Sequence, residues 1–238
     1  SNYFKIAYRN LLKNKVYSLV NIGGMAMGIA AFILILEYVS LEKSVDKFHT
    51  QIEQTYRLLN ESPKSNMWKE HAPGWADLIK KRIPEIKEFC RFDDGNGKGV
   101  VRSNDKNVSF KEERVSYAEG NFFTFFSFAL TAGRPEDFDK PNIVFISENH
   151  ANKYFGNENS IGKILILSNQ FGTQNYTVGG IFKNIGENSS INYDMFFSLQ
   201  TLKNPANLNG NDWADLENLD SQYIDTYFSL TDNSDYTK

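Results

Sequence analysis

Between Val16 and Leu36 the chain runs for 21 residues without a charge. At ~1.5 Å per residue, a helix of that length reaches across a hydrocarbon core of about 30 Å. A core helix in a soluble domain would carry a polar face, and this stretch has almost none. A secretory signal has an apolar region of roughly 7–15 residues and then a small-residue cleavage site. Here the run is longer, and Glu37-Tyr38-Val39-Ser40-Leu41 follows it. The stretch is therefore predicted to span a membrane.

Its flanks orient it. Lys5, Arg9, Lys13 and Lys15 precede the run with no acid among them, and positive flanks stay in the cytoplasm. Interleaved with Phe4, Ala7, Tyr8, Leu11 and Leu12, they read as a basic amphipathic leader over residues 1–15, lying on the inner leaflet. A disordered basic leader is the plainer alternative. Everything after about residue 40 is then expected outside the cytoplasm. Within the run, Gly24 and Gly28 form a G-x-x-x-G pair that allows close helix contact, although that spacing also arises by chance. Beyond it, Leu34, Tyr38, Leu41, Val45, Phe48 and Ile52 recur at intervals of four and three, as in a helix-packing seam. Residues 16–50 are accordingly read as transmembrane helix plus stalk, with a break near Asp46-Lys47 as the other reading. A packing face needs a membrane partner, so the chain is expected to be a piece of a longer protein.

The remainder is long enough for one large domain or two small ones. Residues 1–41 hold four bases and one acid, which leaves 22 bases against 28 acids. A mildly acidic outer part argues against nucleic acid and against lying flat on anionic lipid. Cys90 is the single cysteine, so no internal disulfide is available and the core must hold the domain together; Cys90 itself reads as a small buried hydrophobe. Strands are predicted at 55–62, 85–92, 142–147, 161–167, 175–185, 193–199 and 223–230. A helix at 72–84 has Pro73 near its start and Trp75, Leu78, Ile79 and Ile83 on one face, making a βαβ unit with the strands around it. Residues 98–112 read as a hairpin. A helix capped by Ser147 and stopped by Gly156 follows the strand at 142. Residues 119–135 are rich in Phe.

Chemistry is sparse. His49, His71 and His150 stand apart in the sequence, with no zinc spacing; His49 and His150 read as surface or capping residues. Neither "DDGNGKG" (93–99) nor "VGG" (178–180) has the spacing of a phosphate loop, and no serine sits in a nucleophile elbow. The acids of "ENSSINYD" and "DWADLENLD" read as solvated loops. No catalytic, cofactor or metal residue is assigned.

Taken together, "FKIAYRNLLKNKVYSLVNIGGMAMGIA", "YAEGNFFTFFSFALTAGRP", "IVFISENHANKYFGNENSIGKILIL" and "YTVGGIFKNIGENSSINYDMFFSL" resemble, in order and spacing, the MacB/FtsX-type ABC transporter permeases. The resemblance runs from residue 3 to about 230. It departs at Asn159-Ser160, where the family has an acid and a proline before Ile-Gly-Lys. It implies an α+β fold: a transmembrane helix and stalk, then a bipartite periplasmic domain with an α/β porter-like layer and an inserted, mostly β sabre-like part. The implied boundaries are 51–112 for the first porter-like part, 113–199 for the insert and 200–238 for the return. The implied role is that of a non-catalytic permease part in the inner membrane, working with a separate cytoplasmic ABC ATPase and a second permease copy or homologue. Membrane lipid surrounds it, no cofactor is needed, and there is room for a periplasmic adaptor or outer-membrane partner. ATP hydrolysis would move the outer domain through the stalk. The side chains expected to matter are Gly24, Gly28, Leu34, Tyr38, Leu41 and Val45. The rival class is a membrane-tethered domain that senses an extracytoplasmic ligand.

Overall fold

A computed structural model describes residues 2–46, 49, 54–61, 67–93, 95–186 and 189–231. The chain divides into two compact units, residues 1–45 and 46–238.

The first unit is helical. Helix α1 covers Asn2–Lys13 and helix α2 covers Lys15–Ser44. Asn14 separates them with φ −113° and ψ 58°, and the Ser18 hydroxyl donates back to the Leu11 carbonyl. On α1 the bases Lys5, Arg9 and Lys13 recur every four residues and so share one side. Helix α2 has 30 residues, ~45 Å at the standard rise, and is long and apolar enough to cross a membrane. None of its residues is buried. The predicted stalk beyond Ser44 is not helical at Val45, where ψ is 131°; Phe48 and Ile52 lie outside the described residues.

The second unit is a mixed α+β domain around one large sheet. Its early elements are β1 (Thr55–Arg57), β2 (Asn60–Glu61), β3 (Met67–Trp68), β4 (Glu70–His71), α3 (Trp75–Arg82) and β5 (Ile86–Asp93). Then come β6 (Gly99–Ser103), β7 (Ser109–Glu112), β8 (Val115–Ala118), α4 (Phe122–Phe125) and β9 (Leu130–Gly133). The rest are β10 (Ile143–Ser147), α5 (Glu148–Phe155), β11 (Ile164–Asn169), β12 (Gly172–Phe182), β13 (Met195–Ser198) and β14 (Ile224–Leu230). Twelve strands join in the order β1-β14-β5-β8-β13-β10-β12-β11-β6-β7, with β4 also on β14 and β9 also on β12.

The βαβ unit exists in split form. Strands β1 and β5 are both antiparallel to β14, which lies between them; they therefore run parallel without touching as neighbours. The strand predicted at 55–62 is broken, because β2 leaves the sheet to pair with β3. The helix predicted at 72–84 shortens to α3, and the face expected to be buried is covered only in part: Trp75 and Ile79 are half-buried, Leu78 and Ile83 are exposed, and Ala76 is the buried residue. The hairpin forms as β6–β7. Ser147 caps α5 by accepting from the His150 N–H, and Gly156 ends it with φ 66°. Strands β8 and β9 have no counterpart among the predicted elements.

The sheet buries both faces by alternation, as a strand's two-residue period requires. Val144 and Ile146 of β10, and Met195 and Phe197 of β13, face one cluster with Tyr154 and Phe155 of α5 and Leu199, Leu202 and Leu208 of the segment after β13. Phe145 and Phe196 face the other, with Cys90, Phe92, Phe122, Phe123, Phe126, Phe128 and Phe138. The rings there pack tightly, with Phe122–Phe196 at 4.3 Å and Phe123–Phe145 at 4.8 Å. Strand β12 serves both clusters, sending Tyr176 and Val178 to the first and Phe182 to the second. A register shift between its pairs with Val144 and Phe145 makes that switch. Gly180 is required there, since a Cβ would lie 2.6 Å from the Phe145 ring.

Candidate functional site

The six predicted residues lie in the first unit. Around Gly24 and Gly28 an added Cβ would meet nothing within 4 Å, so this small-residue face is open. Leu34, Tyr38 and Leu41 are exposed, and Val45 follows the last helical turn. At 100° per residue the glycine pair and the Leu34–Tyr38–Leu41 seam point roughly a quarter turn apart, so α2 presents two separate faces.

A polar junction opens the second unit. Val45 is extended, and Asp46 adopts φ 59°, a left-handed conformation that Asp tolerates better than most residues. The turn closes through the His49 N–H to the Asp46 carbonyl, 3.0 Å. The Asp46 carboxylate accepts from the Ser190 N–H at 2.9 Å and the Ser190 hydroxyl at 2.5 Å, with the Ser189 hydroxyl at 3.4 Å. His49 Nδ1 is hydrogen bonded to the Phe126 carbonyl, and its ring meets Phe126 and Phe128 edge-on at 5.6 and 5.4 Å. Read from the sequence as a surface or cap residue, His49 is buried. Its partners lie in the aromatic block and were invisible locally. A small cavity of about 80 Å³ lies here, lined by Asp46, His49, Thr55, Phe126, Ser190 and Tyr227 among others.

A second polar cluster pins α5 to β7. Glu112 accepts from Tyr154 OH at 2.6 Å and Lys153 Nζ at 2.7 Å, and its other oxygen lies 3.2 Å from His150 Nε2. Burial alone would raise the Glu112 carboxyl, but these hydrogen bonds outweigh it and hold the group at about 2. Burial and the Glu112 charge push the Tyr154 phenol up. His150 is thus buried against Glu112 rather than on a polar face. Its Nδ1 lies 3.1 Å from the Ser147 hydroxyl, so Ser147, His150 and Glu112 line up as a serine–histidine–acid series. The series reads as structural: Ser147 is the N-cap of α5, all three residues are buried, and none of them lines the clefts described around them. A nucleophile needs a place for the reacting atom.

Elsewhere, buried Arg91 staples distant segments together. It donates to Glu119 at 2.6 Å and to the Pro73 carbonyl at 2.8 Å. It borders one of two open clefts, about 520 and 460 Å³, that share Phe89 and Glu119. Asp212, Asp215 and Glu217 are exposed. Among the described residues no group of three or more His, Cys, Asp or Glu side chains is placed to hold a metal. Cys90 is buried, and burial pushes its thiol up, as suits an inert core residue.

The profile of the MacB-like periplasmic core domain family matches residues 18–238. Solved structures share the fold. A domain assigned to a permease protein from Porphyromonas gingivalis is 21% identical, with 79% of each chain covered and a TM-score of 0.61. The periplasmic region of MacB from Actinobacillus actinomycetemcomitans is 17% identical, covering 82% of this chain and 80% of that one, with a TM-score of 0.55. The extracellular domain of the noncanonic ABC-type transporter YknZ from Gram-positive bacteria is 14% identical, covering 75% and 84%, with a TM-score of 0.50. No curated protein matches the sequence.

Proposed function

Because the chain belongs to the family of MacB-like periplasmic core domains, we propose that it is the first span and outer domain of an ABC transporter permease, carrying conformational change rather than chemistry. Permeases of this type work with ABC ATPase partners. On this reading α2 crosses the inner membrane with α1 in the cytoplasm, and a separate ATPase subunit drives the helix. A second permease copy or homologue packs on it through Gly24, Gly28 or the Leu34–Tyr38–Leu41 seam, leaving Val45 to hand the motion on. An adaptor or outer-membrane partner would meet the domain beyond the membrane.

One observation carries the reading. Helix α2 ends at Ser44 and the outer unit begins at Asp46, so a single residue separates an apolar, unburied helix from a packed domain. Motion of the helix would enter the domain close to Asp46, whose carboxylate is hydrogen bonded to Ser190. The bipartite division at 51–112, 113–199 and 200–238 belongs to the same proposal. In its support β1, β4 and β5 gather on β14, though β6 joins β11 instead and carries β7 at its other edge.

Two measurements test it. The outer label goes on exposed Asp105 and the inner one on exposed Asn10. In intact spheroplasts Asp105→Cys is expected to react with impermeant thiol reagents and Asn10→Cys to stay silent; the reverse pattern ends the proposal. In the assembled transporter Leu41→Asp would place a charge in a helix contact, costing several kcal/mol if dry. ATP hydrolysis then continues while outer-domain movement stops. Undiminished movement would take the seam out of the mechanism.

A further inference from the structure

The structure points to a clutch at the domain entrance: we propose that Asp46, through its carboxylate on Ser189 and Ser190, is the positioning residue that engages the helix with the centre of the sheet. The inference rests on the coupling role proposed above and names the residue through which it passes.

Three observations carry it. First, Asp46 is a non-glycine residue held at φ 59°, and such conformations persist where surrounding contacts over-determine them, often at switch regions. Second, those contacts are long-range. The carboxylate reaches Ser190, 144 positions away, in the segment that leads five residues later into β13. That strand is central, lying between β8 and β10, with its side chains in both core clusters. Third, His49, hydrogen bonded through its own N–H to Asp46, fixes the same turn to the aromatic block. The turn after the helix exit is thus fastened at two points, to the segment before β13 and to the aromatic block. While the carboxylate is seated, displacement of the chain at Val45 must pull on 189–191 and hence on β13. With it unseated, the same displacement is taken up by rotation about Asp46.

The test uses the full chain with its ATPase in lipid nanodiscs. Amide hydrogen exchange is followed across 189–198 with ADP and with ATP plus vanadate. Asp46→Gly removes the carboxylate while accepting the left-handed turn without strain, and folding is checked by tryptophan fluorescence. Asp46→Asn keeps an acceptor for the Ser190 N–H and also tolerates the turn. In the wild type, exchange at 195–198 is expected to differ at least threefold between nucleotide states. In Asp46→Gly the Ser190 amide exchanges at least tenfold faster and the nucleotide-dependent difference disappears. Asp46→Asn recovers half or more of that difference, a rescue that general loosening of the domain would not produce. A full wild-type difference in Asp46→Gly overturns the clutch and leaves the coupling role standing. No nucleotide-dependent difference anywhere in the wild-type outer domain overturns the coupling role, and the clutch with it.

Discussion

Helix α2 and the aromatic block are built from similar side chains and treat them oppositely. Phe32, Ile33 and Leu36 on α2 are exposed, whereas Phe122, Phe123 and Phe196 are buried completely or nearly so. Hydrophobicity alone does not say which outcome a segment meets. What separates them is the extent of the apolar surface around the helix axis. Helix α2 is apolar on every side, so no single face can be hidden by docking on one neighbour, and lipid is the solvent that suits it. The phenylalanines after Asn121 belong to a single turn of helix set against a sheet whose strands alternate, and the sheet supplies the missing half of each contact.

That contrast can be broken most forcefully by truncation. Phe196→Ala should destabilise the outer domain by about 3–5 kcal/mol, as large-to-small changes in packed aromatic cores do, whereas Phe32→Ala should leave domain stability unchanged. All three tryptophans lie at positions 68, 75 and 213, so denaturant unfolding followed by their fluorescence reports the outer unit alone. Equal effects from the two changes would erase the distinction.

Acidity sharpens it next. Between Val16 and Leu36 there is no Asp, Glu, His, Lys or Arg, so no carboxylate or imidazole brings pH dependence to this stretch. In the outer domain, burial pushes Asp93 up to about 6 against donors from Tyr117, Ser116, Asn96 and Gly97. A carboxyl raised in the folded state costs stability above that value and gives it back as pH falls from about 6 toward 3.8. The gain is at most about 3 kcal/mol. Buried His71, lowered chiefly by desolvation, pulls the other way below its unfolded value of 6.5. The clean readout is therefore the difference between wild type and Asp93→Asn, which should narrow on acidification from pH 7 to 4. Glu112, held at about 2, contributes stability above its unfolded value of 4.5 that is lost progressively as pH falls from 4.5 to about 2. Glu112→Gln should therefore flatten the most acidic part of the profile. A pH-independent gap between wild type and Asp93→Asn would show that Asp93 is charged throughout.

The smallest expected effect compares two glycines. Gly180→Ala forces a methyl to 2.6 Å from the Phe145 ring, and overpacking of this kind costs about 1–3 kcal/mol. Gly28→Ala meets nothing within the chain. It should leave domain unfolding untouched and weaken only helix association in lipid, measurable by energy transfer between labelled copies. Unaltered association would remove Gly28 from the packing face.

The parts legible in the sequence are those whose cause is local. The uncharged run, the Ser147 and Gly156 caps of α5 and the β6–β7 hairpin each announce themselves within a few residues. Strand β8 did not, because all four of its residues are buried, and a strand covered on both faces loses its alternation. Strand β9 pairs through Gly133 and Ala132, which carry no strand signal. The split βαβ unit depended on where β14 would land, and no neighbouring residue records that. The junction is illegible for the same reason: Ser189 and Ser190 look like loop residues until Asp46 is placed beside them. Glu112 held a faint clue, being the one buried residue of an otherwise exposed strand, across from a helix whose Lys153 and Tyr154 could reach it.

Strand β14 lies between β1 and β5, and the Arg57–Asp225 ion pair that fastens it joins positions 168 apart. A ribosome adding ~5–20 residues per second needs roughly ten to thirty seconds to make the intervening chain. Throughout that time the edge of β5 that β14 covers stays bare. The outer domain thus cannot mature in step with its own synthesis. Strand β5 must wait with that edge open to wrong pairing until β14 has been made. A folding helper would find its client in this waiting half-sheet.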